Sequence, residues 1–226
     1  MHLPWAHPGY LSFVKDIAEQ WDTDKTVLIG DVVDLHSISF HQRRPDMPGP
    51  SDEHEQALEA LEPWKTAFPE ARVCIGNHDE RLFRKARSAD IPDKFLRTYK
   101  EVWDTPKWDW QHEHRQDGVV YRHGTGAQGI HPAYMASLRL CCSIVIGHTH
   151  TNAGIKWVVG PDTRHFGMDV GCGVDQEALA FAYARETLRK SVLACGVVID
   201  GMPISEIMPL GRGEKFHRSR FKTKGR

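Results

Sequence analysis

Apolar residues in the first half of the chain fall into two patterns, helical spacing and short continuous runs. Tyr10, Phe13, Val14, Ile17 and Trp21 stand three or four apart, which predicts a helix over 9–21, opening after Pro8. Residues 26–29 are a short β-rich apolar run that stops at Gly30, the pattern of a buried strand. Residues 36–52, with Arg43, Arg44, Pro45, Pro48, Gly49 and Pro50, read as a loop. Asp52 and Glu55 have capping-box spacing, and Ala57, Leu58, Leu61, Trp64 and Phe68 continue at helical spacing. Pro63 is expected to kink or restart that helix. A second strand covers 72–75, and helices cover 80–87 and 93–102. Residues 103–117 hold Trp103, Trp108, Trp110, His112 and His114 among charges, and predict an irregular insertion whose tryptophans form a small satellite core. The second half is strand-rich, at 119–123, 143–146, 155–159, 166–170, 192–199 and 204–208, with helices near 130–139 and 176–189. Alternating strand and helix followed by clustered strands predicts an α/β domain of mixed sheets flanked by helices over residues 1–210, with residues 211–226 as a separate tail.

Composition narrows the class. The 226 residues are 40% hydrophobic, enough for a sizeable core, and the formal charge of −1 gives no whole-molecule field toward nucleic acid or membrane. The tail is the exception: seven basic residues from Arg212 to Arg226 face Glu214 alone, so it is either a grip on nucleic-acid phosphates or a solubilising end. Five cysteines, an odd number without a Cys-x-x-Cys pair, argue against a disulfide framework and for a reducing compartment; Cys141 and Cys142 read as buried filler. No apolar run approaches the ~18 residues of a membrane span, and the N-terminus lacks signal-peptide character, so a cytoplasmic location is expected.

Fourteen histidines make their placement the next question. Three predicted strands end in a glycine followed by polar residues: Gly30-Asp31-Val32-Val33-Asp34, Gly76-Asn77-His78-Asp79 and Gly147-His148-Thr149-His150. A fourth run ends at His123-Gly124. Sites form at the carboxyl ends of strands in open α/β sheets, and a glycine there lets the backbone turn sharply. Asp31, Asn77, His123, His148, His150 and His2 combine hard oxygen with imidazole, which suits Mn²⁺, Fe or Zn²⁺ and not a thiolate site. Six ligands exceed one tetrahedral zinc but fit two ions sharing a carboxylate.

In their order and spacing these motifs resemble those of the calcineurin-like metallophosphoesterases, over about residues 1–175, and the chain looks most like the compact bacterial or phage members. The resemblance implies an α/β/β/α sandwich, two divalent metal ions (Mn²⁺ foremost, with Fe, Zn or Ni as alternatives) and hydrolysis of a phosphate mono- or diester by a metal-bridging hydroxide. It implies that His2, Asp31 and His150 hold one metal and Asp31, Asn77, His123 and His148 the other. His78 is then the non-ligand histidine that stabilises phosphoryl charge and protonates the leaving group, with Asp34 orienting it. Leu35-His36 stands where the Ser/Thr protein phosphatases have Arg-Gly, which argues against that role. The first motif of the family, Asp-x-His at the end of a strand, is matched only by His2, so the reading expects that first strand and its Asp to be missing from this chain.

Other readings follow from single residues. Asp79 is expected to brace its loop, and His112, His114 and His165 to be structural or solvent-facing; His36 and His41 have no assigned part. Arg81 and Arg43 are candidates for contacting substrate phosphate, against the reading of each as a solvated charge. The tail and the tryptophans favour a nuclease as the alternative, and a non-enzymatic scaffold on the same fold, as in the retromer subunit, is the rival from another class.

Overall fold

The computed structural model describes residues 1–40, 46–175 and 190–210. The loop residues Arg43 and Arg44, the expected helix at 176–189 and the basic tail lie outside the described residues. The protein is a mixed α/β structure. Strands β1 (Thr26–Leu28), β2 (Ala71–Cys74) and β3 (Asp109–Gln111) form a parallel three-stranded sheet. A second, mixed sheet runs β4-β5-β6-β8-β7, from β4 (Glu113–Gln116), β5 (Val119–Arg122), β6 (Ser143–Ile146), β7 (Ala153–Val159) and β8 (Arg164–Val170). Strands β9 (Ala194–Ile199) and β10 (Met202–Ile207) form an antiparallel hairpin.

Amphipathic spacing decides which faces meet. Helix α1 (Tyr10–Gln20) turns Tyr10, Phe13 and Ile17 inward, and α2 (Pro50–Ala67) turns in Ala57, Leu61 and Trp64. These join Leu28 and Val73 in the largest buried cluster, on one face of the first sheet. Cys74, with Val27 and Ile29, packs from the other face onto Val119, Tyr121, Val145, Phe166 and Met168 of the second sheet. The far face of that sheet, through Val120, Ile144 and Ile146, packs on Ala133 of α5 (Pro132–Leu140).

Several expectations need correction. Helix α2 starts earlier than expected: Gly49 is the N-cap and Pro50 the first residue, so Asp52 lies within the first turn and forms no capping box. The helix also runs through Pro63, because buried Leu61 and Trp64 on either side hold the turn that proline weakens. The helix expected at 93–102 divides into a 3-10 turn, Asp93–Phe95, and a four-residue α4, Tyr99–Val102, which carries a real capping box from Thr98 and Glu101. The stretch 103–117 is not irregular: it contains β3 and β4. Its tryptophans are no satellite either. Trp103 and Trp108 sit in the main core, with the Trp108 Nε1–H donating to Phe68 O at 3.0 Å, so these two rings have no face free to stack on bases. Cys141 is exposed and closes α5 at φ +51°, and Cys142 is only partly buried, so neither is the buried filler expected. All five cysteines are unpaired. Among the described residues no helix is long and apolar enough to cross a membrane.

Candidate metal centre

Two parallel pairs of strands, one pair in each sheet, bring their carboxyl ends to one place. Asp31 follows β1, Asn77 and His78 follow β2, His123 follows β5, and His148 and His150 follow β6. The chain start joins them: Leu3 bridges Val33 in parallel, and His2 N donates to Asp31 O at 2.7 Å. Close approach is what the glycines make room for. Gly30 has φ +81°, and a Cβ there would lie 2.7 Å from His123 Nδ1. Gly76 has no positive φ; a Cβ there would fall 2.2 Å from Asp31 Oδ1, so its reason is space and not the sharp turn expected. Asp31 and His2 themselves sit at φ +45° and +61°, conformations that cost a side-chain-bearing residue on the order of 1 kcal/mol and cluster at functional sites.

The Asp31 carboxylate is the centre of the group. Its Oδ2 lies 3.2 Å from His123 Nε2 and 3.5 Å from His2 Nε2, while Oδ1 accepts from His78 N at 2.8 Å. On one side, His123 Nε2 is 3.0 Å from His148 Nδ1 and 3.1 Å from Asn77 Oδ1. On the other, His2 Nε2 is 3.0 Å from His150 Nε2. Outer partners set which nitrogen points inward. His123 Nδ1 is held by Ile29 O at 2.7 Å, and His2 Nδ1 by Asp34 Oδ1 at 2.7 Å, so each donates there and turns the lone pair of Nε2 to the centre.

This donor set fits divalent metal. Two ligands at right angles, each about 2.1 Å from a shared ion, stand about 3.0 Å apart, the spacing seen in both imidazole pairs. His78 is placed differently. Its Nδ1 is 2.9 Å from Asp34 Oδ1, and its Nε2 lies 4.0 Å from Asp31 Oδ2. The Arg81 guanidinium is 3.1 Å from that same Nε2, and a fixed cation there opposes a metal ion. His78 nevertheless groups with Asp31 and His2 as one of the two sets of side chains that could hold a metal ion among the described residues.

Charge follows from the surroundings. Burial pulls His2 down to about 4, and holds His150 well below and His148 below the ordinary histidine value, which keeps all three neutral as ligands must be. Burial lowers His78 too, but the Asp31 and Asp34 carboxylates outweigh it and raise the value overall. Asp34 is almost fully enclosed, yet hydrogen bonds from His2 and His78 outweigh burial and hold it ionised.

The residues expected at the site are brought together here, Arg43 excepted because it lies outside the described residues. Asp79 braces its loop as expected: its carboxylate accepts from Val32 N at 3.0 Å, Val33 N at 3.3 Å and Gly76 N at 2.8 Å. Arg81 is no free helix charge, since it donates to Asp34 O at 2.7 Å and its side chain is mostly covered. His114 is buried against Val73 O and His112 faces solvent, while His165 meets Ser137. Two supports were not foreseen. Glu53, buried in the first turn of α2, accepts from His36 N and Ser37 N at 2.7 Å each and pins the loop behind Asp34. Asp169 accepts from the Thr149 hydroxyl at 3.1 Å and steadies the loop carrying His148 and His150. An acidic residue inside the apolar stretch of β8 was the available signal for Asp169.

The chain matches no protein-family model and no curated protein.

Proposed function

We propose that this protein is a metal-dependent phosphoesterase of the calcineurin-like class, hydrolysing a phosphate mono- or diester. The observation that carries the reading is the Asp31 carboxylate standing between two donor groups, His2 with His150 and His123 with His148 and Asn77. The order of layers, α1 and α2 on the first sheet, that sheet on the second, and α5 outside, supports an α/β/β/α sandwich. His2, Asp31 and His150 would hold one divalent ion, and Asp31, Asn77, His123 and His148 the other, with Mn²⁺ the first choice for this oxygen-and-imidazole set. When bound, such a pair supplies Lewis acidity and a water of lowered pKa.

The chain's own groups do the rest. His78 holds its proton more firmly than an ordinary histidine and is positioned by Asp34, so it is the group to donate a proton to the leaving oxygen. Arg81, anchored by one arm on Asp34 O, presents a fixed cation beside His78 Nε2, suited to a phosphoryl oxygen. Asp34 carries both jobs, because its carboxylate accepts from His78 and its backbone oxygen from Arg81, and the same carboxylate also accepts from His2.

The test is turnover of an aryl phosphomonoester and an aryl phosphodiester by the purified chain, with Mn²⁺ and with chelator. Metal-dependent hydrolysis, lost in His78→Ala, supports the reading. Stoichiometric metal binding without turnover of either ester would favour a scaffold, and absence of metal binding would refute both.

A further inference from the structure

On the far face of the second sheet, beside the loop that carries His148 and His150, lies a cleft of about 540 Å³, a volume suited to a small molecule. Two glycines shape its floor. Register sets Gly154 of β7 opposite Asp169 of β8, and Lys156 opposite Gly167, so these four positions share one face of the sheet. At Gly167 a Cβ would fall 2.2 Å from Ala133 O, so its absence lets α5 lie directly on β8. At Gly154, with φ +136°, a Cβ would meet nothing within 4 Å, so the floor there is open space. Ile130 and Tyr134 stand on the α5 side, and Lys190 completes the lining.

The chemistry of the lining favours an anion. Lys156 and Lys190 bring two ammonium groups, and Thr151 and Asn152 bring a hydroxyl and an amide donor. The one carboxylate among the lining residues, Asp169, is already engaged: it accepts from the Thr149 hydroxyl at 3.1 Å and from Ala133 N at 3.4 Å. The Lys156 ammonium has no ion-pair or hydrogen-bond partner among the described residues. Four donors from separate side chains suit a head group with three acceptor oxygens, as on a phosphate, better than the two of a carboxylate. Ile130 and the Tyr134 ring offer apolar surface to the rest of such a ligand.

We infer that this cleft is a second binding site, outside the metal centre, for a small molecule that carries a phosphate-type dianion on a flat apolar group. Lys156, Lys190 and Asn152 hold the anion, and Tyr134 and Ile130 cover the apolar part. The site shares a wall with the metal centre. Thr151 and Asn152 directly follow His150, and Asn152 N donates to Thr149 O at 3.1 Å. Val192, two residues past Lys190, donates its N–H to His150 O at 2.8 Å. A ligand in the cleft therefore touches the back of the loop whose front carries His148 and His150. The inference stands on the cleft and its lining, and does not depend on the phosphoesterase reading.

Phenylphosphonate is the probe, because its head group and ring match the two halves of the cleft and it carries no ester to hydrolyse. It is titrated into the whole chain at about pH 8, where such a head group holds close to two charges. Chelator is present, so that no ion draws the probe to the metal centre, and backbone amide NMR reports where it sits. Amides of Gly154, Lys156 and Gly167 should shift saturably, with Thr149 in the shared loop. Lys156→Glu, at an exposed position that the fold tolerates, should weaken binding by about tenfold or more. Tyr134→Ala should weaken it by about three- to tenfold. Lys107→Glu makes the same charge change at an exposed lysine outside the cleft and should bind like the parent chain. Benzoate, with the same ring and a single charge, should bind about tenfold more weakly than the phosphonate. Shifts confined to residues away from the cleft, equal affinity in Lys156→Glu and Lys107→Glu, or benzoate binding as tightly as phenylphosphonate would overturn the proposal.

Discussion

Gly76→Ala isolates the close packing on which the centre depends. A Cβ at residue 76 would lie 2.2 Å from Asp31 Oδ1 and 2.4 Å from Asp31 N. Unstrained contacts of this kind need about 3.5 Å, so the two loops must part by roughly 1 Å. Part of the obstacle is backbone, which no rotamer change can relieve. Overpacking of this type costs about 1–3 kcal/mol. At about 2–4 °C per kcal/mol for a chain of this size, Tm should fall by roughly 2–12 °C. The same shift breaks the 2.8 Å bond from His78 N to Asp31 Oδ1 and moves the shared carboxylate off both donor groups. Displacement by about 1 Å in a positioned site costs about 10²-fold in rate. Metal content after gel filtration, Tm by differential scanning and ester turnover are the readouts. Gly118→Ala is the control: residue 118 has φ +74° but nothing within 4 Å of its Cβ, so it suffers backbone strain only and should keep full metal content. If Gly76→Ala binds metal like the parent chain and melts no lower than Gly118→Ala, the argument from close packing is wrong.

Four further outcomes are expected. His78→Ala should lower kcat by about 10²–10⁴ while metal content stays at the parent level; loss of both would make His78 a ligand. Asp31→Asn should reduce occupancy of both ions and His123→Ala mainly of one, read by elemental analysis, and equal losses in the two would contradict the bridging position of Asp31. The chelator-treated protein should lose stability as pH falls from about 6.5 to about 4: His2 stays neutral when folded down to about 4 but takes up a proton in the unfolded chain near 6.5, so acid favours unfolding. Urea titrations at several pH values should show a shallower slope over that window in His2→Gln, and an unchanged slope would remove His2 from the account. Trp108→Ala, at a fully buried ring with its N–H satisfied, should cost about 3–5 kcal/mol by the same titration, and a cost under about 1 kcal/mol would return Trp108 to a peripheral role.

What could be read from the chain alone was local. Glycine followed by Asp, Asn or His at a strand end is visible as spacing, so Asp31, Asn77, His148 and His150 were nameable before any fold was known, as was His123 at the end of its own apolar run. Helical spacing and short apolar runs likewise placed α1, β2, β5 and β6 almost to the residue. Long-range pairing was not legible. Asp109–Gln111 has too many polar residues to read as a strand, and it is one because β2 supplies the backbone partners. Pro63 weakens a helix in isolation, and burial of Leu61 and Trp64 carries α2 through it. The role of Gly76 depends on an atom 45 residues earlier in the chain, and that of Glu53 on two amides that only the folded loop brings within 2.7 Å. Sequence determines which chemistry a residue offers and its nearest neighbours along the chain; which groups share a site, and whether a strand edge is paired, depends on contacts between distant segments that only tertiary packing makes.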